Sequence, residues 1–161
     1  MGMLNHIDQE GNAVMVDISN KAITARIAVA KGSIYMLPET IKLVSESGLK
    51  KGDVLSVAQL AGIMGSKKTA ELIPLCHQIE LTSIEVQLAL DQNRNAIDIS
   101  ATCKVDGKTG VEMEALVAVS IAALTVYDMC KAVDRGMKIS DIHLVRKEGG
   151  KSGIFVEDKD G

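Results

Sequence analysis

TGVEMEALVAVSIAALTVYDMCKAVDR (residues 109–135) is the segment around which the rest of the chain is predicted to fold. Its middle, residues 115–127, is a run of about 13 uncharged residues that are apolar or small on almost every face. This pattern predicts one long helix that is buried on more than one side. Because a bilayer span needs roughly 20 apolar residues, we expect a core helix rather than a membrane helix. Thr109 and Glu112 match the S/T-x-x-E capping box, which would begin the helix there.

Charged residues lie near both ends of this predicted helix. Asp128 and Lys131 are three residues apart, so they share a face and can form an ion pair. Glu114 and Asp128 lie within about 40° of each other around the helix axis but roughly 21 Å apart along it. One small ligand cannot contact both ends. A shared site would therefore require two copies of the helix, packed antiparallel across a two-fold axis.

Size and composition indicate one domain, residues 1–161, with flexible ends at about residues 1–12 and 154–161. A chain of 161 residues can bury a core without disulfides or metals. Hydrophobic residues make up 47% of the sequence but aromatic residues only 2%. The core is therefore predicted to consist of Ile, Leu, Val, Met and Ala. An apolar helix in so small a chain also suggests a core shared with a second subunit.

Net charge and cysteine content exclude several classes of protein. The formal charge of −3 gives no basic field, and stacking aromatics are scarce, so nucleic-acid binding is not expected. An anionic ligand would need a local cluster of Lys and Arg. The 3 cysteines form no C-x-x-C pair, and the N-terminal sequence is polar, which together favour the reducing cytoplasm.

The remaining segments predict an α+β fold. We expect, in chain order, strand, helix, helix, strand, strand, helix and strand, the strands at residues 22–36, 81–90, 96–105 and 138–146 and the first two helices at residues 38–47 and 54–73. Asp53 would cap the second helix, and its Gly62 and Gly65 would allow close helix packing. Leaving out one helix gives β-α-β-β-α-β, the ferredoxin-like plait with an antiparallel sheet packed on helices.

The first predicted strand has one apolar face, and Arg26 lies on the opposite face. Ile23, Ala25, Ile27 and Val29 share one face, and Arg26 lies on the other. A solvated arginine and an anion contact on a sheet face between subunits both fit this position.

Several loops carry candidate chemistry. Lys51 precedes the second helix, and Lys67 with Lys68 lies near its end, although such pairs are often simply solvated. Cys76-His77 follows Pro74 on an apolar loop, where zinc would need further ligands that the sequence does not supply at ligand spacing. His77 could be an acid–base group or a core histidine. The loop KEGGKSG (residues 147–153) could wrap amides and ammonium groups around phosphate, but it is not a Walker A loop.

Six motifs in order resemble one known family. They are MVDIS (residues 15–19), KGDVL (51–55), LIPLCH (72–77), GKTGVEMEAL (107–116), ALTVYDMCKA (123–132) and GGKSG (149–153). From about residue 6 to residue 153, the chain is similar to the cyclic pyranopterin monophosphate synthase family, also called molybdenum cofactor biosynthesis protein C. One departure is Gln78, where the family usually has proline after the histidine.

The resemblance implies a specific reaction and assembly. The expected activity is that of a lyase, which converts 3′,8-cyclo-7,8-dihydroguanosine 5′-triphosphate to cyclic pyranopterin monophosphate and releases pyrophosphate. The expected assembly is a homohexamer, a trimer of dimers with active sites at the dimer interfaces. No tightly bound cofactor and no dedicated metal site are expected, with Mg²⁺ accompanying the triphosphate.

The resemblance also assigns site residues. The catalytic residues would be Asp128, Lys131 and Lys51. The substrate-binding residues would be Leu75, Cys76, His77, Met113 and Glu114, together with Arg26, Lys67, Glu112 and Lys147. Asp128 would position Lys131 or exchange a proton with it, while the lysines and Arg26 would neutralise the triphosphate.

Two other interpretations stay open. A non-catalytic nucleotide sensor on the same fold would need the cationic pocket but not the pair formed by Asp128 and Lys131. Alternatively, the charged helix ends could be ion pairs that only hold subunits together. Mutation would then abolish assembly rather than chemistry.

Overall fold

The computed structural model describes residues 4–47 and 53–158, and it has the predicted α+β architecture. The elements are β1 (Thr24–Tyr35), α1 (Pro38–Ser47), α2 (Val54–Ser66), α3 (Thr69–Leu72), β2 (Ser83–Asp91), β3 (Ala96–Gly107), α4 (Glu112–Cys130), β4 (Lys138–Glu148) and β5 (Phe155–Val156). The sheet order is β2-β3-β1-β4-β5, and every neighbouring pair is antiparallel. The first four strands therefore have the order of a ferredoxin-like plait. β5 lies within the C-terminal segment that was expected to be flexible.

The buried face of β1 is the one that carries Arg26. Ala28, Ala30 and Ile34 are fully buried on this face, whereas Ala25 and Lys31 on the other face are exposed. The small residues matter because α4 passes close to the strand. A Cβ atom added at Gly32 would lie only 2.9 Å from the side chain of Val119. A large β-branched residue at Gly32 would hold the helix away from the sheet.

Helix α4 is the core helix, as predicted, but it is shorter than residues 109–135. Its buried residues, including Ala118, Ala122 and Val126, contact the sheet and α2. Among the described residues it is the one helix whose length and composition would permit a membrane span, and its packing shows that it is instead a core helix. After Cys130 the chain turns, and Tyr127 Oη donates a hydrogen bond to the carbonyl of Arg135 at 3.1 Å.

The predicted capping box at the start of α4 is wrong. The N-cap residue is Val111, and no side chain caps the helix there. Glu112 is the first helical residue, so it cannot reach back to Thr109 as the N3 residue of a capping box would. Its carboxylate instead accepts a hydrogen bond from Lys147 Nζ at 2.9 Å. A contact distant in sequence has replaced the local one.

Helix α2 begins as predicted but ends early. The amide of Leu55 donates to Asp53 Oδ1 at 3.1 Å, which confirms the cap. The predicted helix over residues 54–73 divides into α2 and the single turn α3, with Lys67 and Lys68 between them. The predicted role of the glycines is confirmed: an added Cβ would lie 2.9 Å from the carbonyl oxygen of Ala118 at Gly62 and 2.8 Å from Ile121 at Gly65.

Replacing Gly62 with alanine should therefore destabilise the fold, although alanine is the better helix former. The gain in helix propensity is at most about 1 kcal/mol. Overpacking against a backbone carbonyl typically costs about 1–3 kcal/mol, because neither helix can move without opening the core. Urea unfolding of Gly62→Ala should show a lower midpoint than the wild type. A midpoint equal to or above that of the wild type would contradict the close approach of α2 to α4.

Candidate functional site

The first group of predicted site residues surrounds the start of α4. Two cavities, of about 200 and 470 Å³, flank His77 and Glu114, which line both of them. The smaller is also lined by Leu75, Cys76, Glu112 and Met113, and the larger by Lys67. Seven of the residues assigned by the resemblance are thus brought together, from loops and helices far apart in sequence.

Glu114 is the buried acid of this group. It lies in the first turn of α4 and is only 4% exposed. Burial, with a smaller contribution from the nearby charge of Glu112, raises the pKa of its carboxyl to about 7. Glu114 can therefore hold or release a proton near neutral pH, which an exposed glutamate cannot do.

The cysteines are protonated at neutral pH. Burial raises the pKa of the Cys76 thiol, and the charge of Glu114 adds to the effect. Burial also raises the pKa of Cys130, and that of Cys103 to about 12. All three thiols are free. Such thiols are poor nucleophiles and poor metal ligands, and no group of three or more His, Cys, Asp or Glu side chains within residues 4–47 and 53–158 could hold a metal ion.

His77 is held by the N-terminal segment. Its Nε2 atom lies 2.7 Å from the carbonyl oxygen of Val16. Because a carbonyl only accepts hydrogen bonds, Nε2 must carry the proton, which leaves Nδ1 of the neutral ring as an acceptor. His77 is half-buried between the two cavities rather than enclosed in the core.

The second group lies at the other end of α4. Lys131 Nζ donates to Asp128 Oδ1 at 2.6 Å, and both side chains are exposed. The hydrogen bond to Asp128 and the charge of its carboxylate raise the pKa of Lys131. The ammonium group is therefore held in its protonated form, free to meet a ligand from outside.

Asp128 and Glu114 remain on opposite ends of the helix, since fourteen residues of α helix span roughly 21 Å. The first group and the second cannot contact one small ligand within a single chain. If both groups serve one ligand, each chain carries two partial sites. This separation is the geometry from which an antiparallel pairing of two α4 helices was expected.

Comparison with known proteins places the chain in a family. The model of the MoaC family matches residues 15–150. The chain belongs to the MoaC family. It is 61% identical over 153 residues to a cyclic pyranopterin monophosphate synthase of Rhodospirillum rubrum, a match that covers 95% of this chain and 92% of the relative. Relatives with the same name are 59% identical in Parvibaculum lavamentivorans (94% of this chain, 95% of the relative) and 58% identical in Thermoanaerobacter pseudethanolicus (94% and 96%).

The other predicted site residues of this MoaC family chain are placed differently. Lys147 is paired with Glu112 and so adjoins the first group. Arg26 lies beside Gly149 and Gly150 of the loop at residues 147–153. Its Nε donates to the carbonyl of Gly107 at the end of β3, at 3.0 Å. Lys51 falls outside the described residues. The structure thus connects Lys147 to the first group, while the roles of all these residues stay predictions.

Sequence reasoning missed the N-terminal segment of the chain, to which it assigned no chemistry. Asn5, His6, Val16, Ile18 and Lys21 line the smaller cavity. Lys108 Nζ donates to the carbonyl of Ser19 at 2.8 Å and holds the segment in place. These contacts use backbone carbonyls, which leave no pattern in the sequence. Only the family motif MVDIS pointed to this region.

A further cavity of about 450 Å³ lies on the sheet face opposite the helices. None of the predicted site residues lines it. The charge of Arg94, which lines it, is already neutralised by ion pairs with Asp98 at 2.9 Å and with Asp91, outside the lining, at 3.3 Å. It offers a weaker case for an anionic substrate than the cavities at α4.

Proposed function

We propose that this chain is a cyclic pyranopterin monophosphate synthase. It converts 3′,8-cyclo-7,8-dihydroguanosine 5′-triphosphate to cyclic pyranopterin monophosphate and releases pyrophosphate, so it acts as a lyase in molybdenum cofactor biosynthesis. The observation that carries the proposal is the match, over more than nine-tenths of the chain, to relatives that bear this name.

The chemistry requires proton transfer and a leaving diphosphate. To form the cyclic monophosphate, a hydroxyl oxygen of the substrate must bond to the α-phosphorus as the bond between that phosphorus and the oxygen leading to the β-phosphate breaks. Cations stabilise the negative charge that grows on the leaving pyrophosphate. Lys67, Lys147 and Arg26 are the described cations for this role, with Lys51 assigned by the resemblance.

Proton transfer is assigned to four side chains, two of them lysines that the family resemblance names as catalytic. Lys131 is the proposed general acid, because Asp128 holds its ammonium group in place and keeps it protonated, and Lys51 is its proposed acid–base counterpart. Glu114, with a pKa of about 7, and His77 are suited to contact the purine-derived ring and exchange protons with its heteroatoms. The described residues supply no metal ligand set, so we derive no step through a protein-bound metal. Mg²⁺ would accompany the substrate, bound to its triphosphate.

The proposed assembly is a homohexamer of three dimers with active sites at the dimer interfaces. Two features support it. The partial sites at the two ends of α4 become complete only if a second chain supplies the missing end. Large apolar side chains also remain exposed on the paired helices α2 and α4, namely Val57, Leu60, Met64 and Leu124, which are 42–58% exposed. The free thiols and the absence of a basic field support a cytoplasmic enzyme without nucleic-acid or membrane partners.

The test is pyrophosphate release from the purified cyclic triphosphate, with native mass spectrometry of the same sample. We expect stoichiometric release by an assembly of six chains. Tight binding of the triphosphate without release would overturn the enzyme and favour a nucleotide sensor. Release by a monomer would retain the activity but refute a site shared between chains.

A further inference from the structure

The side chain of Arg26 lies under a pair of glycines. Gly149 and Gly150 both have positive φ, at 96° and 73°. A Cβ atom added at Gly150 would overlap Nη1 of Arg26 and come within 2.9 Å of its Cζ, and one at Gly149 would overlap the carbonyl oxygen of Ala25. The turn therefore fits against the guanidinium so closely that only a residue without a side chain can occupy position 150 while Arg26 keeps its place.

The other side of the guanidinium is fixed by a hydrogen bond. Nε donates to the carbonyl of Gly107 at the end of β3, at 3.0 Å. Arg26 belongs to β1, which pairs with β3 on one side and β4 on the other. The end of one neighbouring strand and the loop after the other thus hold the same group. Few orientations of the guanidinium plane satisfy both contacts.

Arg26 carries an unpaired charge between the end of β3 and the loop that follows β4. Neither Nη group donates a hydrogen bond to any residue within the described ranges, and none of those residues forms an ion pair with it. The neighbouring cation, Lys147, is already paired with Glu112 at 2.9 Å. A half-buried guanidinium that is oriented but unpaired is suited to bind an anion through both Nη groups, the arrangement that arginine makes with phosphate.

We propose that the Gly149–Gly150 turn is a positioning device that orients the Nη groups of Arg26 toward the diphosphate part of the ligand. The proposal rests on the proposed function, because that function supplies a ligand with such a group. In this arrangement Gly150 does not touch the ligand. It acts by excluding a Cβ from the space that the guanidinium occupies.

The test compares two glycines of one loop. Gly150→Ala adds a Cβ against Arg26, whereas Gly153→Ala, at φ 67°, adds one with nothing within 4 Å. Both impose the strain of alanine at positive φ, so their difference isolates the contact with Arg26. We expect Gly150→Ala to bind inorganic pyrophosphate about 10- to 100-fold more weakly than Gly153→Ala in calorimetry, the loss typical of one charge-assisted contact. In turnover, KM should rise more than kcat falls.

The Arg26→Ala background tests whether the effect acts through Arg26. There, Gly150→Ala should cause no further loss of pyrophosphate affinity, because the group that it displaces is absent. If Gly150→Ala does not fold, Gly150→Asn compared with Gly153→Asn provides the same comparison, because asparagine tolerates positive φ.

Two outcomes would overturn the proposal. One is equal pyrophosphate affinity in the two glycine variants, and the other is a wild type that binds no pyrophosphate. Failure of the proposed function gives a different result. The wild type would then release nothing from the cyclic triphosphate, yet pyrophosphate binding would still depend on Gly150.

Discussion

Replacing Lys131 with alanine should lower the rate of pyrophosphate release by about 100-fold or more, the usual contribution of a general acid or base. The ammonium group is held protonated at 2.6 Å from Asp128, and the side chain is exposed at the end of α4. Because its side chain forms no other hydrogen bond or ion pair with the described residues, its removal should leave the fold and the thermal midpoint almost unchanged. Release would be measured in single-turnover and steady-state assays, with native mass recorded for each sample.

The companion variant Asp128→Asn removes the negative charge of residue 128 but keeps the size of its side chain. It keeps a hydrogen-bond acceptor for Lys131 but removes the carboxylate that raises the pKa of the lysine. The pKa of Lys131 should then fall. If the protonated form acts as the acid, the loss of rate at alkaline pH should begin at lower pH than in the wild type.

A matched control is Lys42→Ala, which breaks another exposed ion pair, formed with Glu46 on α1 at 3.9 Å. Exposed pairs of this kind contribute little to stability, so we expect wild-type activity. Full activity of Lys131→Ala would remove Lys131 from the chemistry. Loss of the assembled mass together with the activity would instead favour the interpretation that the charged helix ends only hold subunits together.

The parts of the fold that the sequence predicted are those set by local patterns. The apolar pattern of residues 109–135 predicted the core helix α4. Gly62 and Gly65 of α2 predicted close helix packing, and α2 packs closely against α4. The two alternating strands after residue 80 predicted the hairpin β2–β3. Each of these signals arises from side chains within one element, and the completed fold does not oppose them.

The errors arise where a distant contact replaced a local preference. Glu112 does not form the predicted capping box, and its carboxylate pairs instead with Lys147 of β4. In β1 the small residues Ala28 and Ala30 are buried because α4 packs closely against this face of the strand. A strand pattern alone cannot show that a helix will lie there. The site residues were assigned by family motifs. Chain geometry added only the pairing of Asp128 with Lys131 and the separation of the two ends of α4.

Glu114 should make the stability of the protein depend on pH between about 4.5 and 7. Its pKa is 4.5 in an ordinary glutamate and about 7 in the folded chain, because burial penalises the charged form. Within this window the unfolded chain gives up the proton that the folded chain retains. The free energy of unfolding should therefore fall as pH rises from 4.5 to 7, by a total on the order of 3 kcal/mol, and level off above pH 7.

Glu114→Gln removes this titration while it keeps the size of the side chain. At pH 5, where Glu114 is neutral in the folded chain, the variant and the wild type should have similar stability. At pH 8 the variant should be more stable by on the order of 3 kcal/mol, because the folded wild type then carries a buried, ionised carboxylate. Urea unfolding at a fixed protein concentration from pH 5 to pH 8 measures the difference, and Glu39→Gln, at an exposed position of α1, serves as the control. Parallel curves for Glu114→Gln and the wild type across this range would show that Glu114 ionises as an ordinary exposed acid, and its proposed exchange of protons with the ring near neutral pH would then have no basis.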